Sequence, residues 1–344
     1  MLGCAFELSE LEADKQMDDQ RFELLAKVAS LYYEEGLNQN QIAKDLGYSR
    51  SYISRMLTEA RREGIVEIHV RHPLERVPLL EKSLQERFDL RAVRVLQGES
   101  LPYAQMLRRL GVLGAGLLTQ LIEPDSVLGI SWGTALYEVA NGLQPMDCSG
   151  VKVVQLIGSA SSRDHQVDGP GLARAFSLKF GGQYYTLAAP WLVGDKRIRD
   201  ALMKERRMRE VLDLTSQVDI ALVGIGTIDP RLSSLVRAGY LTLSEIEDLQ
   251  ALGAVGDVCG HHFDIQGALM DIPVAGYPFG TEVKTLRSIP NAIGVAGGVV
   301  KAPAILGALR SGLVNSLVTD DAAARAILDI IDSEYQPDSS QSER

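Results

Sequence analysis

Cysteine is scarce in this chain: Cys4, Cys148 and Cys259 are its only three, and they stand far apart. That spacing supplies neither a disulfide framework nor a Cys-x-x-Cys metal site. Histidine is almost as thin, with five residues, of which His261 and His262 are adjacent. Neighbours in an extended strand point to opposite faces, so these two do not converge on one ion. No metal and no cofactor are expected. Long apolar runs are missing too. Val218–Gly226, among the most apolar stretches, has the length of a buried strand and not of a membrane span. Met1–Phe6 carries no basic residue and leads into Glu7, Glu10, Glu12 and Asp14, so it does not read as a signal peptide. A cytoplasmic location without membrane contact is expected.

Positive charge is short overall. A formal net charge of −10 argues against a surface that binds nucleic acid everywhere, but not against one small basic face. Hydrophobic residues at 46% and charged residues at 23% describe a globular protein, and 344 residues are too many for one ordinary core.

Residues 1–17 are acidic and without period, and are expected to be a mobile extension. A helical pattern runs from about Asp18 to Glu35, with Phe22, Leu25, Ala26, Ala29 and Tyr33 on one face. Gly36 ends it. Asn38 and Gln41 stand at capping-box spacing before a short helix over Gln39–Leu46, and Gly47 closes that helix. Ser49 caps a third helix reaching about Glu63. Ile65–Val70 alternates apolar and polar residues as a half-buried strand does, with Arg71 beyond it.

Within Gln39–Met56 the order is small Ala43, then Gly47 four residues on, then apolar Ile53 and Met56. A helix-turn-helix needs this: close helix approach, a left-handed turn, and two core residues one turn apart. Leu46 and Leu57 complete the packing. The outward face of the third helix then displays Arg50, Ser51, Tyr52, Ser54 and Arg55, followed by Thr58, Arg61 and Arg62. Ser49–Arg62 holds four arginines against one acid, Glu59, in a chain with an acidic excess. Charge gathered this way suits phosphate contact, and arginine can read guanine through paired hydrogen bonds. Gln39, Ser49, Arg50, Ser51, Tyr52, Ser54 and Arg55 are the expected DNA-binding residues, with the strand after Gly64 as a wing. The alternative is a helical interaction module whose arginines are merely solvated.

Residues 18–72 are thus expected to be a winged helix-turn-helix domain. Residues 73–90 are read as a linker, with Pro73 and Pro78, and a connecting helix carrying Leu79, Leu80, Leu84 and Phe88. From Ala92 onward apolar strands alternate with helices, the pattern of a doubly wound parallel sheet in an α/β domain over 91–334. The expected strands are Val127–Ile130, Val151–Ile157, Ile220–Gly224, Ile293–Ala296 and Ser316–Thr319. The polar segment 335–344 is expected to be a disordered tail.

Four loops follow strands in this domain: Ser131–Thr134 before a helix over Ala135–Leu143, Gly224–Gly226, Ala296–Lys301, and Thr319–Asp320. Loops after the carboxyl ends of parallel strands line the ligand crevice of such sheets, and helix starts favour anions. Gly133 lets a backbone approach closely, Thr134 adds a hydroxyl, and Lys301 offers a cation. Asp257 and, more weakly, Asp168 could accept bonds from sugar hydroxyls, or could serve as turn or cap residues.

Gln39–Met56, Ile130-Ser-Trp-Gly133, Ala254-Val-Gly-Asp257, Ala296-Gly-Gly298 with Lys301, and Leu317-Val-Thr-Asp320 together resemble the SorC family of sugar-responsive bacterial regulators. The resemblance spans roughly Asp18 to Asp332. It implies an effector domain similar to sugar-phosphate isomerases and deaminases, a homo-oligomer (dimer or tetramer), and partners that are operator DNA and a sugar or sugar phosphate. It also implies that Gly133, Thr134, Asp168, Gly224, Gly226, Asp257 and Lys301 fall at or near effector-contacting positions. One departure stands out: Ala135 occupies the place of a second hydroxyl usual in the family, which leaves a less phosphorylated effector open. The rival function is a sugar-phosphate isomerase or deaminase with an added DNA-binding head, but no dense Asp/Glu/His cluster marks a reaction centre. No catalytic residue is expected.

Overall fold

The computed structural model describes residues 21–66, 74–98, 101–160, 167–271 and 276–334. The expected extension over 1–17, most of the expected wing with Arg71, Pro73, and the tail over 335–344 lie outside the described residues. The chain divides into two compact units, Met1–Pro73 and Leu74–Arg344.

In the first unit, residues 21–33 form helix α1, Gln39–Leu46 form α2 and Arg50–Arg62 form α3. The capping box at α2 is present: Asn38 accepts from the Asn40 and Gln41 N–H groups at 3.1 Å, and Gln41 accepts from the Asn38 N–H at 2.9 Å. Gly47 ends α2 at φ 73°. Ser49 caps α3 by accepting from the Tyr52 N–H at 3.2 Å. Leu25, Val28, Ala29, Ile42, Ala43, Ile53, Met56, Leu57 and Ala60 meet in one small core. Three residues expected on the apolar face of α1 are outside it: Ala26, which is half-buried, and two at the helix ends. Phe22 is 57% exposed and Tyr33 38% exposed. The buried face is centred on Leu25, Val28 and Ala29, and Phe22 and Tyr33 sit at the ends of the described helix, beyond it. Ile65 and Val66 fold back so that both N–H groups bond the Ala60 carbonyl.

The second unit runs α4 (Pro78–Phe88), β1 (Ala92–Leu96), α5 (Tyr103–Leu121), β2 (Val127–Ile130), α6 (Thr134–Gly142), β3 (Lys152–Gln155), α7 (Gly169–Phe180) and β4 (Gln183–Tyr185). There follow β5 (Leu192–Val193), α8 (Lys196–Lys204), α9 (Arg206–Thr215), β6 (Ile220–Gly224), β7 (Gly226–Thr227), α10 (Ser234–Arg237), α11 (Leu243–Ala251), β8 (Ala254–Val258), β9 (His261–Asp264) and β10 (Leu269–Met270). The last elements are β11 (Tyr277–Pro278), α12 (Val283–Ser288), β12 (Asn291–Val295), a 3-10 turn over Val299–Lys301, α13 (Ala302–Ser311), β13 (Ser316–Asp320) and α14 (Asp321–Glu334). The strands expected at Val151–Ile157 and Ile293–Ala296 are thus shifted or shortened, and α6 starts one residue earlier than its expected Ala135. Apolar pattern alone does not locate where strand pairing stops.

Seven strands form one parallel sheet in the order β1-β13-β12-β6-β2-β3-β4. Side chains alternate between its faces, as Ile220 and Leu222 against Ala221 and Val223 illustrate. One face packs on α5, α6 and α7 through Leu110, Leu136, Val139, Leu172 and Phe176. The other packs on α4, α11, α13 and α14 through Leu84, Leu249, Ile305 and Ile327. An antiparallel sheet, β7-β8-β9-β10, grows from the end of β6. Among the described residues no helix is long and apolar enough to cross a membrane.

α5 and α6 approach closely because of glycine. A Cβ on Gly111 would fall 2.4 Å from the Glu138 carbonyl, whereas one on Gly116 would meet nothing within 4 Å. Gly111→Ala should therefore lower stability by about 1–3 kcal/mol through overpacking. Gly116→Ala, on the same helix, should raise it by up to about 1 kcal/mol. Thermal unfolding of the two variants side by side checks both; equal effects would mean that the helices do not rely on this contact.

Candidate functional site

On the first unit, the core residues of α3 leave its other side open. Ser49, Arg50, Ser51, Ser54 and Arg55 are exposed, Tyr52 is half-buried, and Gln39 is half-buried at the start of α2. Ser49 is committed locally, since its hydroxyl both caps α3 and lies 3.0 Å from that of Ser51. The one acid of this helix is neutralised elsewhere: Glu59 takes three hydrogen bonds from Arg21 on α1. Arg50, Arg55 and Arg61 have no acidic partner among the described residues, so the exposed face keeps its positive charge. Tyr48, in the turn before α3, is also exposed and packs its ring against Tyr52. Its place in the turn gave no periodic signal.

On the second unit, the chain leaves β2 toward β3 and leaves β6 toward the small antiparallel sheet, although β2 and β6 are neighbours. Strand order reverses between them, and a crevice opens beyond their carboxyl ends. It is a shallow recess that opens to solvent. Gly133, Thr134, Gly224, Gly226, Asp257 and Lys301 all line it. Asp168 does not: it is buried at the start of α7, where its carboxylate accepts from the Gly169 and Ala160 N–H groups at 2.8 and 2.9 Å. A carboxylate that tethers a loop to a helix start has a structural task.

Each lining group has a definite local origin. Gly133 sits at φ 123° as the N-cap of α6 and offers no side-chain cap, so the first N–H groups of that helix, beside the crevice-lining Thr134 and Ala135, have no side-chain cap among the described residues. Ser131 bridges the two strand ends by accepting from the Gly224 N–H at 3.1 Å. Asp257 on β8 pairs across to Gly226 on β7. A Cβ on Gly226 would lie 1.9 Å from an Asp257 carboxylate oxygen, so only glycine leaves that carboxylate its place. The other oxygen accepts from the Gly260 N–H at 3.1 Å. Lys301 follows the Gly297–Gly298 turn after β12, and its Nζ donates to the Ile225 carbonyl at 2.8 Å. Burial lowers its pKa to about 8, and Arg237 pushes the same way, while Asp257 partly counters both.

Several lining residues carried no sequence signal: Trp191, Ser234 and Arg237 come from distant loops and meet only in three dimensions. Trp132 stood inside a quoted motif without a role. Its ring meets Trp191 edge-on at 5.1 Å, and both indole N–H groups are buried without a partner among the described residues. Arg237 is exposed at the crevice. The arrangement therefore offers an ammonium, a guanidinium, a carboxylate, uncapped backbone N–H groups and an aromatic wall. That set suits a small polyhydroxylated or anionic molecule.

Residues 72–329 match a family of sugar-binding domains, Sugar-bind. The chain is 31% identical over 312 residues to the deoxyribonucleoside regulator of Bacillus subtilis (strain 168), covering 91% of this chain and 99% of that protein. It is 33% identical over 309 residues to the transcriptional regulator LsrR of Enterobacter sp. (strain 638), covering 89% and 93%. The crystal structure of the full-length sorbitol operon regulator SorC from Klebsiella pneumoniae superposes with a TM-score of 0.67 at 31% identity, over 90% of this chain and 99% of that one. Both the sequence likeness and the structural likeness run through the two units. The chain belongs to the SorC family of sugar-responsive bacterial transcriptional regulators.

Proposed function

We propose that this regulator lays α3 in the major groove of operator DNA, and that the β2/β6 crevice holds the sugar or sugar phosphate that alters operator affinity. The observation that carries the reading is the convergence of Lys301, Asp257, Gly226 and the uncapped start of α6 in one crevice. Relatives named for sorbitol and deoxyribonucleosides support a polyhydroxylated effector. In this reading the α6 N–H groups and Thr134 take the anionic or most polar end. Asp257 accepts from ring or chain hydroxyls, and Lys301 donates to an oxygen between them. The protein acts as a homo-oligomer whose paired α3 helices meet a near-palindromic operator. The effector binds one arrangement of the subunits better than another and shifts DNA affinity by that difference. No turnover is assigned to the crevice in this reading, in keeping with relatives that are named as regulators.

Three outcomes test this. Arg50→Ala or Arg55→Ala should weaken binding to a fragment from upstream of the gene by about 1–3 kcal/mol, with the effector's thermal shift unchanged. Loss of both activities together would refute the division of labour. Gly226→Ala should lower effector affinity by roughly tenfold or more by displacing the Asp257 carboxylate. Gly116→Ala, outside the crevice and with nothing within 4 Å of the added Cβ, should change it little. The only two tryptophans, Trp132 and Trp191, both line the crevice, so intrinsic fluorescence serves as the readout.

The third outcome concerns pH. An anionic effector stabilises the charged form of Lys301, so the lysine holds its proton more tightly in the complex than in the free protein. Affinity is then full below the free-state value of about 8 and falls as pH rises through it. Calorimetric titration with a sugar phosphate at about pH 7 and about pH 9 should show this loss. Lys301→Met should bind more weakly and flatten the profile. An unchanged profile in that variant would remove Lys301 from the site.

A further inference from the structure

We propose that Tyr48, Tyr52 and Arg55 form one reading element, in which the Tyr52 ring, braced by Tyr48, holds the Arg55 guanidinium as a fixed guanine reader and Tyr48 is a further residue at the DNA surface. The inference rests on the placement of α3 in the major groove. Tyr52 and Arg55 stand three residues apart on α3 and share one side of it, and Tyr48, in the turn before the helix, reaches that side through its ring contact with Tyr52. Ile53, Met56, Leu57 and Ala60 occupy the other side, in the core. Tyr52 is the anchor, since its ring is half-buried and packs on that core. Tyr48 is 41% exposed, and its ring lies 5.0 Å from that of Tyr52, tilted by 40°. The Tyr48 backbone is also tied down, its N–H donating to the Ala43 carbonyl at 2.9 Å. The Arg55 guanidinium sits over the Tyr52 ring, 5.6 Å from its centroid, within cation–π range.

An arginine four residues before a glutamate on a helix is within reach of it, and Glu59 stands at that spacing from Arg55. Arg21 has taken that carboxylate instead, with its Nε and a terminal nitrogen between 2.7 and 2.9 Å away. Arg55 is therefore left exposed, without an acidic partner among the described residues, and leaning on an aromatic ring. Stacking restricts a long side chain that otherwise samples many rotamers, and it leaves the N–H edge of the guanidinium available. That edge is what guanine O6 and N7 accept from. An arginine used only for phosphate needs no such support, because a phosphate is approached from many directions. Tyr48, at the outer end of the stack, then meets the neighbouring base pair or its sugar.

The test selects binding sites from a randomised duplex library with the full-length protein and compares variants position by position. The wild type should enrich a motif with a strongly preferred guanine in each half-site. Arg55→Ala should lose discrimination at that position by roughly tenfold or more. Tyr52→Leu should weaken discrimination at the same position by several-fold, Tyr48→Ser should weaken it there and at the adjacent position, and both should leave the remaining positions as they were, while Tyr52→Phe should retain it. If Tyr52→Leu does not fold, the exposed Tyr48→Ser carries the comparison alone. Identical motifs and discrimination in wild type and the tyrosine variants, or an even loss across all positions, would overturn the reading element while leaving DNA binding by α3 intact. Enrichment of no motif by the wild type would overturn both.

Discussion

The effector half of this protein depends on one topological constraint. β2 and β6 are parallel neighbours whose chains depart in opposite directions, so no helix or loop can lie across both strand ends. The gap is a consequence of connectivity and not of any one side chain. It is held by a small device, the Ser131 hydroxyl on the Gly224 N–H, which ties the two strand ends together while leaving the space above them open. Everything else at the crevice is delivered to this point. The start of α6 arrives from β2, the Gly226–Asp257 pair from β6 by way of the antiparallel sheet, and Lys301 from β12.

The chemistry follows from burial. An ammonium in a recess loses hydration, and Lys301 offsets that with a backbone carbonyl and the field of Asp257 without closing a direct ion pair. Both groups therefore retain bonding capacity directed at whatever enters. The helix α3 solves the opposite problem. Arg50, Arg55 and Arg61 have no acidic partner among the described residues, because Glu59 is held by Arg21 on a neighbouring helix and Glu63 by Arg62. One unit thus keeps charge available by sequestering it from water, the other by sequestering its counter-ion.

Much of this was legible in order along the chain. The capping box at Asn38 and Gln41, the left-handed Gly47 and the Ser49 cap are local devices, set by residues within one turn of each other, and all are present as read. The apolar strands were visible for the same reason, although their ends were not, since pairing partners lie far away in sequence. Phe22 and Tyr33 were assigned to the core because period says which face is apolar but not how far a neighbouring helix extends along it. Asp168 followed a pattern of acid before glycine that suits a ligand contact and a helix cap equally, and its carboxylate caps α7 and is not among the crevice-lining groups.

Local chemistry, written in nearest neighbours, was enough for the helix-turn-helix, the alternating α/β order, the family resemblance and six of the crevice residues, because caps, turns and periods act over a few bonds. Strand order, and with it the identity of the crevice, depends on contacts between segments as distant as Gly129 and Ala221 or Val295 and Val318. Trp191 and Arg237 joined the site only through that assembly, as did the capture of Glu59 by Arg21. Which side chains face a common space is a property of packing, and packing has no signature in a neighbour-by-neighbour reading.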